Sequence, residues 1–179
     1  MKKAETMKTF RVLYILVLAG LLVACNRNNP TQRTVAPREY TTAYVGVHGH
    51  CYDSIPQAVV SLDLYSEGLV LDSTHRMQGS GYNLYFSDLF VDSLLEAGTY
   101  LPDTTGARLT YLPGRDYEGI PSGAYLLKVD EGQLTKIQLI DSGMVIVRDT
   151  LDGQTDIQCT LYYGRQRYDA HFQGALTIE

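Results

Sequence analysis

The chain has 179 residues, a formal charge of −5, 14 Tyr, no Trp and three Cys. Its acidic balance excludes nucleic acid as the expected partner and argues against an electrostatic grip on anionic lipid. Its length allows one domain with a real core plus a tether.

A basic start with Lys8 and Arg11 precedes an apolar run from Val12 to Val23, closing on Leu22-Val23-Ala24-Cys25. Such a run is too short for a bilayer core, which needs about 20 residues, but it suits the apolar region of a signal peptide. The small residue before Cys25 resembles the bacterial lipoprotein box, whose Cys is acylated at its thiol and becomes the mature N-terminus. Residues 1–24 are therefore expected to be a lipoprotein signal peptide and Cys25 the lipidation site. Acyl chains contribute about 0.8 kcal/mol per buried methylene, so several of them hold a protein at a membrane without a transmembrane helix. The mature chain of 155 residues carries 11 Lys and Arg against 19 Asp and Glu, near −8.

Residues 25–40 are polar, contain Pro30 and Pro37 and show no periodicity, so they read as the lipidated Cys and a flexible tether reaching roughly 20 Å. An all-β domain is expected over 41–179. Thr42 to His48 reads as a strand, then Val60, Leu62 and Leu64 alternate with Ser61, Asp63 and Tyr65, and Tyr82, Leu84 and Phe86 alternate in turn. Pro and Gly crowd 102–123, a stretch that reads as a long functional or mobile crossover. Hairpin signals follow at Asp130-Glu131-Gly132-Gln133, Ser142-Gly143, Asp152-Gly153 and Gly164-Arg165-Gln166, before Tyr168 to Ile178 alternate to the end.

The pattern predicts an antiparallel meander of about nine or ten strands folded as a two-sheet β-sandwich, with a calycin-like β-barrel as the alternative. Cys51 and Cys159 are the two thiols left to pair in an oxidising compartment. Their bridge would close a loop worth about 4 to 5 kcal/mol in the chain-entropy view. Against it, Cys159 alternates with Ile157 and Leu161 as a small core residue would.

Several short segments together resemble small lipoproteins of the Bacteroidetes type, whose function is unknown. They are Ala43-Tyr44-x-Gly46, Gly81-Tyr82-x-Leu84-Tyr85-Phe86, Ala97-Gly98-Thr99-Tyr100, Pro113-Gly114 with Pro121-Ser122-Gly123-x-Tyr125, Ile140-Asp141-Ser142-Gly143-x-Val145, and Tyr168 to Leu176. The resemblance spans nearly the whole mature chain and implies a shared fold and an outer-membrane location rather than a chemistry. Surface-displayed members often carry an acidic tag after the Cys. Asn26-Arg27-Asn28-Asn29 is not acidic, so the implied orientation faces the periplasm.

Residues able to do chemistry are few. His48-Gly49-His50 is the one His-x-His pair, a weak metal candidate because no third ligand stands at a recognisable spacing. Gly79-Ser80-Gly81 lacks the nucleophile-elbow spacing. Asp63, Asp88, Asp92, Glu96, Asp116 and Glu118 offer carboxylates for a glycosidase pair, but alternation makes Asp63 an outward strand residue and leaves the rest in loops or at strand ends. Tyr111, Tyr117, Tyr162 and Tyr163 fall in or near turns, where Tyr offers rigid amphipathic area to a glycan or an envelope protein. The expectation is a lipid-anchored, non-catalytic binding or structural protein with no cofactor, and the alternative is a carrier of a small hydrophobic ligand.

Overall fold

A computed structural model describes residues 37–149 and 152–179. The expected signal peptide, Cys25 and the expected tether up to residue 36 lie outside the described residues, which contain fifteen strands and no helix. In chain order these are β1 (Arg38–Gly49), β2 (Ala58–Ser66), β3 (Leu69–Leu71), β4 (Met77–Gly79), β5 (Gly81–Val91), β6 (Gly98–Pro102), β7 (Thr110–Tyr111) and β8 (Arg115–Tyr117). They continue with β9 (Ile120–Ser122), β10 (Ala124–Asp130), β11 (Gln133–Leu139), β12 (Ser142–Asp149), β13 (Thr155–Tyr163), β14 (Gln166–Gly174) and β15 (Thr177–Ile178).

Eight of these strands form a closed ring in the order β1, β2, β5, β7, β6, β12, β13, β14 and back to β1. The all-β expectation holds, but the two-sheet sandwich does not: the sheet returns on itself as a barrel. Nor is it a pure antiparallel meander, because β1 runs parallel to β14 and β15, and β6 runs parallel to β7. The reason lies in the turn-rich stretch expected to cross between sheets. There Thr110 and Tyr111 pair with β5 on one side and β6 on the other, and so close the ring. Flanking amides complete the seam, with Leu109 N–H donating to the Phe90 carbonyl at 2.8 Å and Leu112 N–H to the Asp88 carbonyl at 3.1 Å. Leu109 holds φ at +58°, a backbone region that a branched side chain enters only when its surroundings impose it.

The first strand also begins earlier than expected. Arg38, Glu39 and Tyr40 are in register with Ala170, His171 and Phe172, and Tyr40 is buried, so the last residues assigned to the tether belong to the barrel. Hairpins form where Gly-containing dipeptides supply positive φ at both turn positions: Glu131-Gly132 between β10 and β11, and Glu118-Gly119 between β8 and β9. Ser142-Gly143, by contrast, is not a turn but the start of β12. Gly143 has φ near +125°, and a Cβ there would lie 2.2 Å from the Thr160 carbonyl oxygen, so only glycine fits.

Alternation sends one face of each strand inward. Val60, Leu62 and Leu64 meet Leu84 and Phe86, Val145 and Val147, Ile157 and Leu161, and Tyr168 and Phe172 in one core. An irregularity between Val60 and Leu62, where β5 supplies Ser87 and Asp88 opposite Ser61, brings Leu89 and Val91 back into phase with that core. An eight-stranded barrel is narrow enough for side chains to fill. Leu62, Leu64, Leu84, Phe86, Ile157 and Leu161 are all 0% exposed. A ligand-sized hollow would leave accessible surface on the side chains around it, so these six side chains pack against one another without one between them.

Candidate functional site

Among the described residues, a concave feature lies on the outer face of the barrel wall. A pocket of about 400 Å³ is lined by Tyr44, Gly46, Val47, His48, Ser61, Asp63, Tyr85 and Glu179, within the roughly 300–1,000 Å³ range of small-molecule sites. Adjacent strands β1, β2, β5 and β10 supply Tyr44, Asp63, Tyr85 and Tyr125, which are direct partners in that order across the sheet. Neighbours across a ladder are close enough to touch. The register therefore lays one carboxylate between tyrosines on either side.

The rings are held by packing. Tyr44 meets Tyr65 edge-on with centroids 5.7 Å apart, and Tyr85 lies against Tyr125 at 5.1 Å. Tyr65 belongs to a second, smaller core with Leu69 and Val129, backed by Tyr44, Leu71 and Met77, so the short β3–β4 hairpin walls one end of this face. At the other side β15 lies along β1. Glu179 N–H donates to the Val45 carbonyl at 2.9 Å, and Val47 N–H donates to the Glu179 carbonyl at 3.3 Å.

Asp63 is the electrostatic centre. Its Oδ1 accepts from Asn83 Nδ2 at 2.6 Å, and the same Asn83 amide also donates to the Leu64 carbonyl at 3.2 Å. Burial pushes the Asp63 carboxyl up to about 6; hydrogen bonds from Asn83 and Tyr65 oppose the shift, and the Glu179 charge adds to it. Burial, the Asp63 charge and the hydrogen bond to Asp63 together raise the Tyr65 hydroxyl in turn. Beside this group His48 Nε2 and Ser61 Oγ are 3.1 Å apart. Gly46 makes room for that pair, because a Cβ at this position would lie 2.5 Å from Ser61 Oγ. Among the described residues His48 bonds to no carboxylate, so Ser61 and His48 lack the orienting acid of a hydrolytic triad.

The residues singled out from sequence are distributed differently from expectation. Tyr111 is 0% exposed, its ring edge-on to Phe86 at 5.3 Å and its hydroxyl buried without a partner; it belongs to the core, not to a recognition surface. Tyr117 is exposed on β8. Tyr162 and Tyr163 are consecutive on β13 and so point to opposite faces, with Tyr163 packing against the core. These four do not make one patch. Cys51 and Cys159 are both free thiols: Cys159 is buried inside the barrel, while Cys51 is exposed and donates to the His48 carbonyl at 3.1 Å. The bridge between them is not made, because one side chain faces the core and the other a surface loop. His48 lies in the pocket, and no group of three His, Cys, Asp or Glu side chains among the described residues could hold a metal.

Of the loop carboxylates, Asp92 and Glu96 share the Arg108 guanidinium, and Asp88 accepts from the Tyr52 hydroxyl at 2.8 Å. Sequence reasoning placed Asp63 correctly as facing away from the barrel core, yet missed that its neighbours partly bury it. The available signal was a carboxylate in mid-strand within a tyrosine-rich chain, which became informative only once register was known. Comparison with protein-family models, curated proteins and solved structures finds no match to this chain.

Proposed function

We propose that the chain is a lipid-anchored, non-catalytic lipoprotein of the bacterial outer membrane, facing the periplasm, whose barrel is a rigid stand for a recognition pocket on its outer face. The observation that carries this reading is the contrast between inward side chains that leave no accessible surface and a polar pocket on the outer face, centred on Asp63 between Tyr44 and Tyr85. The calycin-like alternative matches the closure of the ring, but a carrier needs interior space, which these core residues occupy. A membrane-spanning barrel has an apolar outside and a polar inside. Here the apolar residues point inward, which supports the reading that a bilayer is reached through a lipid on Cys25 and not through the barrel wall.

A second reading has some support of its own. Asp63 and Glu179 line one pocket beside the Ser61–His48 pair, and two carboxyls can serve as acid and base in glycoside hydrolysis. Against it, Asp63 is engaged by Asn83 and Tyr65, and among the described residues His48 bonds to no carboxylate.

The test has two parts. Cells expressing the full chain are labelled with radioactive palmitate; the wild type takes up label and fractionates with the outer membrane, whereas Cys25→Ala does neither. Purified protein is then assayed on chromogenic glycosides and esters. Turnover that disappears in Asp63→Asn or Ser61→Ala would replace recognition with hydrolysis, and label retained by Cys25→Ala would remove the anchor.

A further inference from the structure

We infer that the outer pocket takes a primary ammonium group, carried by a small amine or a lysine side chain, with Asp63 as its counter-ion and Tyr44 and Tyr85 as its aromatic walls. This inference rests on the recognition reading and names the ligand class.

The charge in the pocket is one-sided. Its lining includes the carboxyls of Asp63 and Glu179 and no Lys or Arg. Asp63 is held by hydrogen bonds from Asn83 and Tyr65, both neutral donors, which orient the carboxylate without cancelling its charge. Asp63 is partly buried on β2, and a carboxylate withdrawn from water gains from a cation beside it. Here the protein has built everything except the cation.

The walls narrow the choice further. The ladder places Tyr44 and Tyr85 immediately on either side of Asp63, and tyrosine faces attract cations by roughly 0.5–2 kcal/mol. A guanidinium prefers a bidentate carboxylate with both oxygens open, whereas Asn83 and Tyr65 already occupy much of this one. An ammonium is a compact point charge with three N–H donors. Asp63, Glu179 and the hydroxyl groups of Ser61 and Tyr85 offer acceptors for them within the same pocket. A divalent metal fits less well, since the described residues present no set of three ligands. The groups facing the bound charge are Asp63 and Tyr65 from β2, Tyr44 and His48 from β1, Tyr85 from β5 and Glu179 beyond β15. Of these, Asp63 must be ionised for binding.

The probes are 1,5-diaminopentane and Nα-acetyl-lysine amide, with Nα-acetyl-norleucine amide as the uncharged control. They are titrated into the full-length lipidated protein in neutral detergent, read by calorimetry and by NMR shifts of the Asn83 side-chain amide and the Tyr44 and Tyr85 rings. The expected result is saturable binding of both amines at pH 7.5, norleucine amide at least tenfold weaker, and a loss of about tenfold at pH 5. Asp63→Asn loses binding at least tenfold while remaining folded, and Tyr85→Leu loses several-fold. Tighter binding of the diamine identifies a free amine as the ligand source, and tighter binding of the lysine amide a protein side chain; either outcome supports the site. Equal binding of lysine and norleucine amides, or undiminished binding by Asp63→Asn, overturns the ammonium assignment. If an uncharged sugar moves the same resonances instead, the ligand class falls while the recognition pocket stands. If neither the amines nor sugars move them, both fall together.

Discussion

Replacing Asp63 with Asn should make the protein more stable at neutral pH, by an amount that grows with pH. The Asp63 carboxyl rises from 3.8 to about 6 on folding, with burial as the main cause. A carboxyl raised in this way is an advantage below its unfolded value, and that advantage is lost as pH climbs through the folded one. From those two values the burden of the ionised group is about 1 kcal/mol at pH 4.5 and about 3 kcal/mol at pH 7.5. The Asn variant escapes it at every pH. Any penalty from placing an amide next to Asn83 is independent of pH and cancels in the comparison, so its stability relative to wild type should improve by about 2 kcal/mol over this range. For a domain of this size that is a melting difference widening by roughly 6–10 °C. Thermal melts of both proteins at pH 4.5 and 7.5 measure it. A difference that stays constant or shrinks with rising pH would show that Asp63 is not a desolvated, uncompensated carboxylate.

Other outcomes follow from features away from the pocket. His171 bridges Glu39, at Nδ1 and 2.8 Å, and Asp156, at Nε2 and 2.9 Å. Burial lowers its pKa, but the two carboxylates outweigh burial and raise it overall. The bridge therefore stabilises most fully below about pH 6.5 and fades as pH rises through the elevated value; the melting advantage of wild type over His171→Gln should shrink between pH 6 and 8.5. Tyr111→Phe removes a buried hydroxyl that has no partner among the described residues, so its unfolding free energy in urea should match or exceed wild type by up to about 1 kcal/mol. Gly143→Ala forces a methyl onto the Thr160 carbonyl and should cost more than about 3 kcal/mol or abolish soluble expression.

Strand positions were readable where the period of two survives, as on β2, β13 and β14: Val60, Leu62 and Leu64 announce β2 without help from the rest of the chain. Closure was not readable. The pairs that seal the ring between β5 and β7, Leu89 with Tyr111 and Phe90 with Thr110, involve a two-residue strand among prolines and glycines, too short to show a period. Tyr111 was misplaced for the same reason, since a residue near turns looks exposed unless the strand that buries it is seen. The pocket was hidden more deeply. Tyr44, Asp63, Tyr85 and Tyr125 each resemble an ordinary residue on the outer side of a strand. Their alignment depends on strand register past the irregularities at Tyr40/Thr42 and Val60/Leu62, which no local pattern encodes.

Strand β1 has β2 along one edge, while its other edge is shared end to end by β14 and β15. The earliest described strand is thus completed by the latest two, and a chain made from its N-terminus cannot shut its ring until β14, residues 166–174, is available. Nascent intermediates must wait with an open β1 edge, the kind of exposed border that invites intermolecular pairing. The same geometry bears on reagents: an affinity tag fused after Glu179 would sprout from the pocket rim itself, so tags belong in the β8–β9 hairpin, on the exposed Glu118-Gly119 turn.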